Sequence, residues 1–181
     1  MTNTYSNEIR IVIGSWGSYN ECNERALGSR WLDLADYGDW DEIVEELERQ
    51  GFELDGIDEE LFIQDIDNFP SDATNWDYMH PQRLFDILHE AEVLDDSGKY
   101  DTLMAFLEVR GFREFEELVE KYGASWDDDI YIYKNYDWDD YGREMFNNCG
   151  YEMLDSLFDC FEAFKYDGIE EYSKGLIEIR Y

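Results

Sequence analysis

The sequence predicts an α+β protein with three small domains in a row. Three observations carry this. Isoleucines alternate near the start of the chain. A turn-rich segment at Asn68–Asn75 separates that region from one whose apolar residues recur at helical spacing. Strand-like alternation then returns at the end, in Gly175-Leu-Ile-Glu-Ile-Arg-Tyr181. The expected units are 1–70, a small antiparallel sheet plus helix; 71–123, a helical domain; and 124–181, a mixed α/β domain.

In the first unit, Glu8–Ser15 alternates Ile9, Ile11 and Ile13 against Arg10 and Val12, as a half-buried strand does. Gly17–Gly28 reads as a polar loop, and Arg30–Leu34 as a second strand. A helix is expected from Asp39, because Trp40, Ile43, Val44 and Leu47 share one face and Gly51 stands where a helix stops. Glu60–Ile66 is the third strand.

After Asn68–Asn75 the spacing is helical. Pro81 suits a first helical turn, followed by a stripe of Leu84, Ile87, Leu88 and Ala91. Tyr100, Leu103, Met104 and Leu107 form a second stripe, ending at Gly111. Phe112, Phe115, Leu118, Val119 and Tyr122 form a third, ending at Gly123. In the last unit Ile130–Tyr133 reads as a strand, Asp137–Phe146 as a helix, and Leu154, Leu157, Phe158 and Phe161 as a further helical stripe.

Charge dominates the composition. The 181 residues carry 46 Asp or Glu against 14 Lys or Arg, a net charge of −32, yet 44% are hydrophobic and 17% aromatic. The aromatic content marks a folded chain, not an acidic tail. Residues 1–60, 61–124 and 125–181 have net charges of −12, −10 and −10. Such an evenly anionic surface excludes direct binding to nucleic acid or to an anionic membrane. The densest stretch, Trp126–Glu144, mixes seven carboxylates with six aromatic rings.

Reaction chemistry finds little to stand on. Cys22, Cys149 and Cys160 are an odd, scattered set without a CxxC pair, so neither a disulfide framework nor a zinc site is expected. His80 and His89 read as surface histidines without a nucleophile beside them. Asp65-Ile-Asp67-Asn68 starts like a calcium loop, but the glycine required at its sixth position is Pro70. Asp127-Asp128-Asp129 reads as a solvated loop. No glycine-rich phosphate loop is present. The chain is therefore read as non-enzymatic, without cofactor or metal. No apolar h-region opens the chain and no apolar run reaches 18 residues, so a cytoplasmic location is expected.

The charge itself remains as the functional feature. Acids recur three and four apart on expected outward helix faces: Glu42, Glu45 and Glu46; Asp86 and Glu90; Glu116, Glu117 and Glu120. Asp127, Asp128, Asp129, Asp137, Asp139 and Asp140 continue the set. Like charges at this spacing weaken a helix slightly, and mixed signs would serve solubility with less repulsion. Duplex DNA carries one charge per ~1.7 Å of axis, so this net charge corresponds to about 54 Å, or about 16 base pairs. A distributed surface competing for a DNA-binding groove is the favoured reading. The alternatives are an acidic divalent-metal-binding or hydrolytic protein, and an acidic chaperone for basic DNA-binding proteins.

The run Ile9-Arg-Ile-Val-Ile-Gly through Tyr37, with Tyr19-Asn20, Gly28 and Trp31, and Asp33-Leu34, resembles the opening of the ArdA antirestriction proteins. Glu60–Pro70 is similar to that family's next landmark, and Arg110-Gly-Phe112 and Phe161-Glu-Ala-Phe164 are similar in pattern and order. Phe164-Lys-Tyr-Asp-Gly-Ile169 departs from the family's usual Arg-Asp-Leu element. The resemblance implies an elongated three-domain homodimer, joined through its last domain, that mimics bent B-form DNA. It further implies occupation of the DNA groove of type I restriction-modification enzymes, which protects incoming mobile DNA.

Overall fold

Ile9, Ile11 and Ile13 are fully buried, and the strand they build is the centre of the first sheet. The computed structural model describes residues 8–148 and 168–181. Within these, two three-stranded antiparallel sheets and six helices make an α+β fold. Strand β1 (Arg10–Ser15) lies between β2 (Leu32–Asp33) and β3 (Leu61–Asp67). Ile11 pairs with both Leu32 and Ile66, and a bulge falls between Val12 and Ile13.

The segment expected to be a loop at Gly17–Gly28 is instead ordered. Ser15 caps a short helix α1 (Trp16–Glu21), and a 3-10 turn follows at Glu24–Leu27. Trp16 stacks on Phe62 of β3 at 4.2 Å, which covers the sheet face that the alternation had assigned to solvent. Val12 is accordingly buried as well. Gly28 returns the chain over this face with φ +79°, and a Cβ there would stand 2.7 Å from Val12 Cγ1. A side chain would collide, and L-residues disfavour that backbone region.

Helix α2 (Trp40–Arg49) closes the other face with Ile43 and Leu47, both fully buried. It starts where the sequence places it, with the Asp39 carboxylate accepting from the Glu42 N–H at 3.1 Å. Such a cap satisfies a donor that the helix itself leaves unpaired.

Helices α3 (Pro81–Glu90), α4 (Ser97–Arg110) and α5 (Phe112–Tyr122) follow. Helix α4 is buried on more than its expected stripe. Ala105 and Phe106 are fully buried beside Leu103, because α5 packs on one side and the second sheet on another. That sheet has the order β4 (Ile130–Lys134), β6 (Gly175–Ile179), β5 (Ile169–Tyr172). Ile130 and Ile132 pair with Ile179 and Ile177. The β5–β6 hairpin brings Gly175 within 2.1 Å of the Tyr133 carbonyl as measured from a notional Cβ, so only glycine fits. Helix α6 (Trp138–Asn148) packs Trp138 and Tyr141 with Ile169 and Leu176 in a small second cluster.

The main cluster of buried side chains runs without a break from Ile9 to Ile179. Phe69 joins Trp76 and Phe112 at ring separations of 5.6 and 6.1 Å. Trp126 lies between Phe106 and Phe115 and donates its indole N–H to the Ala91 carbonyl at 3.2 Å. The stripe expected at Leu154, Leu157, Phe158 and Phe161 lies outside the described residues, as do Cys149, Cys160 and the Phe161–Phe164 element.

Candidate functional site

Most of the acids singled out in the sequence do face solvent. Glu42 and Glu45 on α2, Asp86 and Glu90 on α3, Glu117 and Glu120 on α5, and Asp128, Asp129, Asp137 and Asp140 are exposed. Several of these also cap or brace. Glu42 accepts from the Gly38 N–H at 2.8 Å, and Asp137 accepts from the Asp140 N–H at 2.9 Å. Glu46 is half-buried between Gln50 and Arg49, both at 2.8 Å, and Asp139 is half-buried too.

Two acids depart from the solvent face. Glu116 is only 8% exposed, because its turn of α5 faces α3, where Arg83 Nε approaches its Oε1 to 2.7 Å. Asp127 is half-buried, with Lys99 Nζ at 3.9 Å. Burial raises the Asp127 carboxyl above its usual range, and Lys99 opposes that shift only in part.

The structure brings four of the selected acids together. Asp86 and Glu90 from α3 and Glu116 and Glu120 from α5 line a groove of about 450 Å³, with His80, Gln82, Arg83 and Ile87. Each pair is spaced i, i+4, which places neighbouring side chains about 5–6 Å apart on one helix face. Nothing in the sequence alone could align these two rows, since the alignment depends on how α3 meets α5. The acids of α2 and of the 127–140 segment are not part of this groove.

Sequence reasoning also missed what the few cations do. Many tie together elements that are distant along the chain. Arg10 on β1 pairs with Asp67 on β3, Lys134 on β4 with Asp101 on α4, and Arg110 on α4 with Glu170 on β5. Lys99 on α4 reaches Glu92 at 2.9 Å as well as Asp127. Arg25 Nε meets the fully buried Asp58 at 2.9 Å, where the Glu53 N–H also donates at 2.8 Å and Ser18 Oγ donates too. Burial alone would raise the Asp58 carboxyl; the hydrogen bonds from Ser18, Glu53 and Ser15 and the charge of Arg25 outweigh it and hold it below the usual range. Arg10, Arg25, Arg83, Lys99, Arg110 and Lys134 are thus engaged in links between elements, whereas Arg49, Arg113 and Arg180 pair with acids close by along the chain. The surplus of carboxylates is left on the outside.

Among the described residues, no group of His, Cys, Asp and Glu is arranged to hold a metal ion, and no helix is long and apolar enough to cross a membrane. Comparison with curated proteins and comparison with solved structures each give no match. Residues 11–174 match the family described as antirestriction protein (ArdA). The match covers most of the chain, from β1 through β5, with the six helices among the described residues and the acidic groove, so the chain belongs to the ArdA antirestriction family.

Proposed function

We propose that this antirestriction protein acts as a DNA mimic, occupying the DNA-binding groove of a type I restriction-modification enzyme and excluding DNA by competition. The observation that carries the reading is the division of labour between charges. Cations such as Arg10, Arg25, Arg110 and Lys134 are engaged between elements, while Glu42, Glu45, Asp86, Glu90, Glu117, Glu120, Asp128, Asp129, Asp137 and Asp140 are exposed. A net charge of −32 built this way costs the fold self-repulsion, which a neutral mixed surface would avoid.

Binding of this kind is collective. Most of the affinity of proteins for DNA comes from phosphate contacts, and a protein surface that replaces the phosphates inherits the same salt dependence. In this reading the segments 1–70, 71–123 and 124–181 form an elongated body, and the last supplies the contact of a homodimer. A dimer would present about twice the ~54 Å of duplex length that one chain's charge represents. The direct test is displacement: added protein should release a labelled duplex from the enzyme and block both cleavage and rebinding. Inhibition with DNA still bound would contradict it.

A further inference from the structure

We propose that Lys134 and Arg110 are positioning residues for the inhibition: they fix the second sheet on α4, and so fix where the acids at both ends of β4 stand. The inference rests on the competition reading above, and it makes two cations serve an anionic surface. Ile177 and Ile179 of β6 are buried in the same cluster as Leu103 and Phe106 of α4. Apolar contact is non-directional, so by itself it favours burial rather than one crossing angle of sheet on helix.

The polar links restrict that angle. Lys134 of β4 pairs with Asp101 of α4, and Arg110 of α4 pairs with Glu170 of β5. β4 and β5 are the two outer strands of this sheet. Asp101 and Arg110 stand about 13.5 Å apart along the helix axis, at 1.5 Å per residue. Glu108 adds a third link, accepting from the N–H and the hydroxyl of Ser173, in the β5–β6 turn, at 2.7 Å each. Tethers on opposite edges of the sheet, at distant turns of one helix, resist rotation as a single tether would not. What they hold in place is charge. Exposed Asp128 and Asp129 stand just before β4, and exposed Asp137 and Asp140 just after it. A turn of the sheet on α4 would swing both groups relative to Glu117 and Glu120 on α5. Spacing matters to a DNA competitor, because phosphate contacts set register on the duplex. The paired side chains are between 33% and 49% exposed, where an ion pair adds little to overall stability. Their contribution is placement.

The experiment ranks variants by displacement of a labelled duplex from a type I restriction-modification enzyme. The double variant Lys134→Gln with Arg110→Gln takes the net charge from −32 to −34. Charge alone would make it the stronger competitor; lost placement should make it several-fold weaker at a nearly unchanged Tm. Reversing both pairs, Lys134→Asp with Asp101→Lys and Arg110→Glu with Glu170→Arg, keeps the net charge and should restore displacement. Lys121→Gln removes a cation that lies over the adjacent Tyr122 ring, and should not weaken displacement. Should the double variant not fold, each single substitution is read in the same way. A second readout needs no enzyme. Amide residual dipolar couplings of α4 and of the second sheet should fit one common orientation in the wild type and the reversed variant, and fit it worse in the neutralised one. Displacement by the neutralised variant equal to or stronger than wild type, no restoration on reversal, or couplings that still fit one orientation would each overturn the positioning role. A wild type that displaces no DNA would instead sink the competition reading, and the couplings would still decide the placement.

Discussion

Asp58, with no exposed surface, receives Arg25 Nε at 2.9 Å and fastens the α1 region to the segment that follows α2. Removing one partner of a buried pair leaves the other uncompensated, at about 3–5 kcal/mol. Asp58→Asn should therefore lower the unfolding free energy by about that amount, read from the urea midpoint at unchanged slope.

The same carboxylate sets a pH dependence. Its folded-state pKa lies below the unfolded value, so its contribution is fully present above the unfolded range, near 4, and is lost as pH falls through the folded value. Asp127 acts with the opposite sign: burial raises its carboxyl, so its ionised form opposes folding at neutral pH. Acid titrations of stability should show a weaker loss between pH 5 and 3, about, for Asp58→Asn than for the wild type. Asp127→Asn should leave neutral-pH stability unchanged or slightly raised.

Trp126 opens the most acidic stretch of the chain but is 2% exposed, with its indole bonded to the Ala91 carbonyl. Trp126→Ala should cost about 3–5 kcal/mol through the cavity it leaves. Trp126→Phe should cost less, and the difference between the two in denaturant melts separates packing from the hydrogen bond. Equal costs would mean that ring volume is not what holds this position.

Dense like charge also predicts an unusual response to salt. At 0.1 M ionic strength, interactions beyond about 10 Å are screened, and self-repulsion is relieved first. Relief of about 1 kcal/mol would raise Tm by about 2–4 °C for a chain of this size. Scanning calorimetry between low and moderate salt should show that rise; a flat or falling Tm would count against dense surface charge.

Much of the fold could be read from local signals. Asp39 caps α2, Pro81 opens α3, and Gly111 and Gly123 end α4 and α5, because caps and stops depend on neighbouring residues. Helix α1 was illegible: Gly17 and Asn20 are poor helix formers, and the Ser15 cap and the packing of Trp16 on Phe62 compensate. Phe106 fell outside its stripe because α4 is covered on more than one side. Strand β5 was hidden by Glu170 and Glu171, one of which Arg110 engages. The exposed acids were visible as charge runs, but a run cannot reveal that Glu116 turns inward to Arg83 or that two helices share a groove.

The central claim is competition by a distributed anionic surface. The most direct measurement is equilibrium displacement of a labelled recognition duplex from a purified type I restriction-modification enzyme, over a range of salt. Wild-type protein should displace the duplex, less well as salt rises; single neutralisations of exposed acids such as Glu42 or Asp128 should change this little, and blocks of about ten should weaken it stepwise. An enzyme inhibited while still holding its DNA, or one exposed substitution that abolishes displacement with the fold intact, would contradict the account.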